Sequence, residues 1–296
     1  MAVEEKTWTV IDLIKWGTEY LSSHGIDESR LNMELLLSTT LVMKRFDLYV
    51  NYDRPLTRNE LERLRTYLKR RLANEPVQYI LGSTNFYSID LKIDRRALIP
   101  RPETETLAES VIDFCRNSLR EKDVAHILDI GTGSGCIAIA VAKFVDNSRV
   151  TAIDKSPGAL SLAKENAGLT ATSEKINFMD VDVLGIDENI FPQKFDVIVS
   201  NPPYVSAAGI SSLEPEIRNY EPLDALSDGL DGLTFYRRIS ELARTLLCDG
   251  GSVFVEVGFG QSDAVSEIFS AAGGRELIVK KDLSNIERVV SARFYA

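Results

Sequence analysis

Histidine is almost missing from this chain. Only His24 and His126 occur in 296 residues, which argues against histidine-based metal or triad chemistry. Cysteine is nearly as scarce. Cys115, Cys136 and Cys248 show no C-x-x-C pairing, so neither a disulfide framework nor a zinc site is expected. No apolar run approaches the ~20 residues of a membrane-spanning helix. The opening MAVEEKTW has neither the basic nor the apolar stretch of a secretory leader. A cytoplasmic protein with reduced thiols, no metal and no membrane is the expectation. Positive charge is short as well, with a formal net charge of −10. Residues 1–75 carry 12 basic and 12 acidic side chains, so the whole deficit falls on residues 76–296, with 22 against 32. That sign opposes life on a phosphate backbone, and no direct nucleic-acid partner is expected.

What is present is an ordinary globular composition, 44% hydrophobic and 26% charged, and three textures. Residues 1–75 read as a helical bundle. Thr9-x-x-Asp12 and Thr57-x-x-Glu60 are capping boxes, and His24-Gly25 ends the first helix. A second helix is predicted over Leu31 to Val42. In the third, Leu61, Leu64, Leu68 and Leu72 form a stripe, and Arg58, Arg63, Arg65, Lys69, Arg70 and Arg71 fill much of the remaining face. Residues 76–100 read as a β-hairpin linker, since Gln78 to Ala97 alternates. Arg101 onward is a third region, opened by a Pro-x-Pro segment that feeds a helix from about Glu103 to Leu119. From His126, strands are predicted near 126–130, 150–154, 176–179, 195–200, 251–257, 276–280 and 288–294. Helices fall near 135–144, 156–167, 231–248 and 260–271. Such alternation implies an α/β domain with a mostly parallel sheet and helices on both faces.

Three stretches carry chemistry. In FDVIVSNPPYV, Val197-Ile198-Val199 is the apolar run of a strand buried on both faces. Pro202 and Pro203 stop it, because neither can donate a backbone hydrogen bond. Asn201 and the Pro202 carbonyl then offer two fixed acceptors beside the ring of Tyr204, which suits a planar NH2 group with two hydrogens to give. The second stretch is His126-Ile-Leu-Asp-Ile130 running into Gly131-Thr132-Gly133-Ser134-Gly135. Its spacing is GxGxG rather than the GxGxxG of dinucleotide folds, and it lets the backbone approach a ligand. The third is Asp154, which ends the next strand where a carboxylate can accept from ribose hydroxyls.

ILDIGTGSG, AIDKSP and VSNPPY in this order resemble the class I S-adenosylmethionine-dependent methyltransferases, a Rossmann-like fold with a seven-stranded sheet. LIPRPETE, QYILGSTNF, EPLDALSDGLDGL and DLSNIERVVSARF resemble the HemK/PrmC family within them. The resemblance implies transfer of a methyl group to the side-chain amide nitrogen (N5) of the glutamine in the GGQ motif of peptide chain release factors. It also implies a helical N-terminal domain that docks the substrate, and a monomer is expected. Gly131, Thr132, Gly133 and Gly135 would line the methionine moiety, Asp154 would bind the ribose, and Asp182 would lie near the adenine. Asn201 and Pro202 would accept from the glutamine NH2, with Pro203 beside them and Tyr204 walling the pocket. Asp182-Val183 stands where some members carry an aromatic residue. Arg101, Glu103 and Glu105 read equally as a helix-start charge cluster or as pocket residues, and Glu256 as a site wall or a loop anchor. The rival reading is a methyltransferase for an exocyclic base amine, adenine N6 or guanine N2, since NPPY serves such groups too. Extracting a base requires a basic cleft, which the acidic C-terminal region does not supply. A catalytically dead cofactor-binding scaffold would be favoured by a broken glycine turn or corner, and both are intact. A nicotinamide-dependent oxidoreductase is opposed by GxGxG and the lack of a hydride-transfer residue.

Overall fold

The computed structural model describes residues 7–295, and they divide into two compact units. The first runs to Gly82 and takes in Glu214–Tyr220; the second holds the rest. Each capping box forms as the sequence predicts. Thr9 accepts from the Asp12 amide at 3.3 Å to open α1 (Val10–Ser23), and Thr57 receives Glu60 in the same way to open α4 (Arg58–Leu72). Between them lie α2 (Ser29–Leu41) and the short α3 (Asp47–Val50). Gly17 of α1 leaves room for the Met33 side chain of α2, whose sulfur would lie 2.2 Å from a Cβ there and would have to shift. Leu64 and Leu68 of α4 join Leu13, Leu21, Leu36 and Leu37 in the unit's core. Residues 77–81, expected in the hairpin, are instead the helical turn α5 (Val77–Leu81) and belong to the first unit.

The basic face of α4 is narrower than the sequence suggests. Arg70 forms a bidentate pair with Glu75. Arg71 is 6% exposed and gives its guanidinium to Asn32 Oδ1 at 2.8 Å, the Glu75 carbonyl at 3.1 Å and Glu216 at 2.6 Å. A buried guanidinium is tolerated only when its donors are all met. Arg58, Arg63, Arg65 and Lys69 remain exposed.

The second unit opens with a hairpin, β1 (Ser83–Phe86) and β2 (Ile89–Lys92), closed by Tyr87 and Ser88 at φ of 50° and 60°. Two left-handed residues match the twist of hairpin strands but cost strain without glycine. Glu105 Oε1 meets the cost in part by accepting from the Tyr87 amide at 2.8 Å. After α6 (Thr104–Ser118), strand and helix alternate: β3 (Ala125–Ile130), α7 (Cys136–Phe144), β4 (Ser148–Asp154), α8 (Pro157–Leu169), β5 (Ile176–Asp180) and β6 (Phe195–Ser200). The chain then forms α9 (Pro215–Tyr220), which belongs to the first unit, before α10 (Thr234–Leu246), β7 (Leu247–Glu256), α11 (Ser262–Ala271), β8 (Arg275–Lys281) and β9 (Glu287–Phe294). The seven predicted strands form one sheet in the order β5-β4-β3-β6-β7-β9-β8. Its first five strands are parallel, and β9 runs antiparallel to both of its neighbours, β7 and β8. Residues 247–248, expected at the end of a helix, already belong to β7. All six residues of β6 are buried: Val197 and Val199 face the core under α6 and α7, and Ile198 faces the core under α10 and α11.

The burial of Arg71 gives the first prediction. Arg71→Ala leaves three acceptors without their donor and should cost about 2–4 kcal/mol in the first unit. The chain's only tryptophans, Trp8 and Trp16, lie in that unit, so their fluorescence in a urea titration reads it directly. An unchanged midpoint would show that the three contacts are dispensable.

Candidate active site

β3 and β6 lie side by side, and Ile130 pairs with Ser200 at their carboxyl ends. Gly131 and Asn201, the next residues of each strand, therefore leave the sheet at the same edge. β4 flanks β3 on the other side and ends at Asp154. A cavity of about 530 Å³ is lined by all three strand ends. Of the residues singled out in the sequence, Gly131, Gly133, Asp154 and Asp182 border it on one part, and Asn201, Pro202 and Pro203 on another. This is the crevice outside the carboxyl ends of the strands where open α/β sheets bind ligands.

The glycine turn is held from below. Gly131 and Gly133 take φ of +73° and +56°, which residues with a Cβ rarely adopt. The Gly131 and Thr132 amides both donate to the Ile153 carbonyl, at 2.9 and 3.0 Å. Asp154 Oδ2 accepts from the Gly133 amide and Oδ1 from the Ser156 amide, each at 2.9 Å. Burial raises the Asp154 pKa above its ordinary value, with those two amides opposing the rise. The carboxylate thus braces the turn and still has a second acceptor position on each oxygen. Thr132 and Gly135 do not line the cavity. Thr132 is buried and donates to Asp129 Oδ2 at 2.6 Å. Gly135 makes room for α8, since a Cβ would meet Ala163 and Ile139 at 3.1 Å.

At the corner, Asn201 Nδ2 donates to Thr104 Oγ1 at 3.1 Å, and Thr104 donates to Glu256 Oε2 at 2.6 Å. No donor among the described residues bonds to Asn201 Oδ1 or to the Pro202 carbonyl. Tyr204 is not among the cavity-lining residues. Its hydroxyl lies 3.4 Å from Glu256 Oε1, and burial, with the Glu256 charge second, pushes its pKa well up. Apolar lining includes four other residues. Val181 and Val183 lie beyond β5, and Leu223 and Phe235 come from the segment around α10. Part of that segment is pinned by Glu221, which is buried, pairs with Arg101 at 2.5 Å and accepts from the Ile99 amide at 3.2 Å. The Pro-x-Pro segment and EPLDALSD were visible as motifs, but the Arg101–Glu221 link spans 120 positions and leaves no local signal.

Two family models match the chain. One is described as the PrmC N-terminal domain, over residues 12–82, and the other as the methyltransferase small domain, over residues 113–213. Among solved structures, a methyltransferase from Pyrococcus furiosus is similar with a TM-score of 0.51 at 19% identity, covering 71% of this chain and 91% of that one. The hMettl16 catalytic domain, solved in complex with the MAT2A 3'UTR hairpin 1, has a TM-score of 0.55 at 18% identity over 80% of each chain. At such identity these neighbours speak to the fold alone, the Rossmann-like α/β fold of methyltransferases, and the methyltransferase small domain match agrees with that class.

Curated relatives narrow the class. The release factor glutamine methyltransferase of Geobacter sulfurreducens is 39% identical over 293 residues, 99% of both chains. That of Bacillus subtilis is 34% identical over 287 residues, 96% of this chain and 97% of the other. The chain belongs to the release factor glutamine methyltransferase family.

The cavity fits S-adenosylmethionine on its own chemistry. Asp154 has spare acceptor positions for hydroxyls, and Val181, Val183, Leu223 and Phe235 offer apolar surface to a flat base. Asp154→Ala should therefore weaken cofactor binding by roughly 10- to 150-fold, about 1.5–3 kcal/mol, while much of the rate returns at saturating cofactor. Calorimetry with initial rates checks it. A large fall in saturated rate at unchanged affinity would give Asp154 a different role.

Proposed function

We propose that this chain transfers a methyl group from S-adenosylmethionine to the side-chain amide nitrogen (N5) of the glutamine in the GGQ motif of peptide chain release factors, as a cytoplasmic monomer. The observation that carries the reading is a single cavity bordered both by the glycine turn with Asp154 and by the two free acceptors of the NPPY corner. The name carried by relatives of full length supports the substrate.

The cofactor supplies a methyl group already activated on a sulfonium sulfur, so no acid is required. The difficulty lies in the nucleophile. An amide nitrogen shares its lone pair with the carbonyl, as the ~18–20 kcal/mol barrier to peptide rotation shows. To attack, the nitrogen must turn towards tetrahedral geometry. Asn201 Oδ1 and the Pro202 carbonyl, on a backbone stiffened by two prolines, accept its two hydrogens and stabilise that geometry more than the planar one. The nitrogen becomes acidic once alkylated and releases its proton afterwards, so no strong base is needed. In this reading Gly131 and Gly133 hold the methionine end, Asp154 the ribose, and Asp182 lies by the adenine. Thr132, Gly135 and Tyr204 act through the frame.

Asn201→Ala should lower kcat by about 10²–10³ with little change in cofactor affinity. Asn201→Asp should keep more activity than Ala, because it retains an acceptor. It should stay below wild type, because its second oxygen would compete with Glu256 for the single Thr104 proton. Labelled methyl transfer to purified release factor tests the whole reading, with a GGQ-to-GGA factor and nucleic acid as controls. Transfer to nucleic acid, or to the GGA factor at the same rate, would overturn it.

The first unit is proposed to dock the protein substrate through the exposed Arg58, Arg63, Arg65 and Lys69 of α4. Replacing Arg58, Arg65 and Lys69 by Glu should raise KM for the release factor and leave cofactor affinity unchanged. Equal KM values would remove α4 from the docking surface.

A further inference from the structure

An asparagine amide has an acceptor end and a donor end of nearly the same shape, and only the acceptor end suits a substrate NH2. What selects the end is the group behind it. Thr104 has one hydroxyl proton, and its Oγ1 lies 2.6 Å from Glu256 Oε2. A carboxylate only accepts, so that proton is committed to Glu256 and Thr104 offers its lone pairs to its other neighbour. The neighbour is the Asn201 amide at 3.1 Å, and it must present its NH2 there. Oδ1 is thereby left for the substrate.

We propose that Glu256 and Thr104 are positioning residues of the methyl transfer, a buried hydrogen-bond relay that fixes the polarity of the Asn201 amide. This rests on the glutamine-amide reading of the corner. Thr104 and Glu256 are 2% and 1% exposed, so no water competes for the relay. Their fold positions are independent. Thr104 opens α6, and Glu256 ends β7, one residue beyond the Ser200–Val255 pair. Neither lines the cavity, so both act from behind Asn201.

The relay works in one direction only while Glu256 is ionised. Burial pushes its carboxyl up to about 7, opposed by the Thr104 hydrogen bond and by the charge of Arg288 on β9, with Glu103 adding to the rise. Tyr204 faces its other oxygen, Tyr236 of α10 donates to its backbone carbonyl at 2.8 Å, and Cys136 of α7 lies within reach of its charge. Once protonated, Glu256 can donate to Thr104, Thr104 can donate onward, and the Asn201 amide is free to present its NH2 to the cavity. Activity should then fall as pH drops through that titration. Asp129 is also pushed up to about 7 by burial, but its bonded side chain is Thr132, so variants separate the two.

The test compares wild type, Thr104→Val, Thr104→Ser and Glu256→Gln in full-length protein. Thr104→Val should lower kcat about 10- to 100-fold, as loss of an orienting hydrogen bond behind a site group does, with KM for both substrates nearly unchanged. Thr104→Ser should restore most of it. Glu256→Gln should lower kcat and abolish the acid limb of the pH profile. In parallel, the side-chain NH2 of Asn201 is followed by NMR in asparagine-labelled protein without substrate. Its shift should titrate with Glu256 in wild type and cease to do so in Thr104→Val, whatever the substrate proves to be. Wild type failing to methylate release factor would overturn the glutamine reading, while the NMR titration would still decide the relay. An Asn201 amide that ignores pH, a Thr104→Val enzyme with wild-type kcat, or an acid limb that persists in Glu256→Gln would overturn the relay.

Discussion

Parallel pairing of β3 with β6 is the constraint from which the site follows. The two strands are 70 positions apart, and their register sets Ile130 opposite Ser200, with the Ser200 hydroxyl donating to the Ile130 carbonyl at 2.8 Å. A slip of one residue would turn every side chain of β6 to the other face. Val197 and Val199 would trade cores with Ile198, and Asn201 would no longer leave the sheet beside Gly131. At the opposite end of the same strands, buried Asp196 accepts from the His126 amide at 3.0 Å and pairs with Lys122 at 2.5 Å. One end of the pair is thus locked by a carboxylate that serves the fold, and the other opens into the cavity.

Much of this was legible from local pattern. Strand positions follow from apolar runs of β-branched residues, helix starts from capping boxes, and the glycine turn and proline corner from residues with restricted or unusual backbone. What local pattern could not carry is any feature whose cause lies far along the chain. The hairpin turn Tyr87-Ser88 lacks the glycine that normally marks such a turn, and its conformation is secured by Glu105 from another element. Arg71 looks like one more charge on a solvated helix, and it is buried only because Asn32 and Glu216 come to meet it. The return of residues 214–220 to the first unit had no signal at all. Its ties are the Arg71–Glu216 pair and the Tyr220 hydroxyl on the Ala73 carbonyl at 2.7 Å.

The site residues divide along the same line. Gly131, Gly133, Asp154 and Asn201, which border the cavity, are marked in the sequence by a backbone conformation or a strand end. Tyr204 carries no such mark, and it does not line the cavity. An aromatic ring next to two prolines can turn either way, and here its hydroxyl lies 3.4 Å from Oε1 of buried Glu256. Thr132 and Gly135 sit inside the glycine motif but serve its frame, Thr132 through Asp129 and Gly135 through its close approach to Ala163.

The segment RPETE resolves the ambiguity that its charges create in the sequence. As a helix-start cluster its acids would act through the dipole of α6, an effect of about 0.3–1 kcal/mol that salt would screen. Its residues instead reach three separate parts of the second unit. Arg101 holds buried Glu221 and with it the wall at Leu223. Thr104 joins Glu256 to Asn201. Glu105 secures the hairpin turn. Two of the three links end on a carboxylate that is buried, where losing a partner leaves a charge unmatched rather than merely solvated. The spacing of the three residues is that of one helical turn and its approach, so shifting the start of α6 by a single residue would misplace all of them together. A stiff Pro-x-Pro lead fixes that start, because each proline restricts both itself and the residue before it. The motif is therefore a clamp on cavity wall, proline corner and hairpin, and it reaches Asn201 through the Thr104 hydrogen bond.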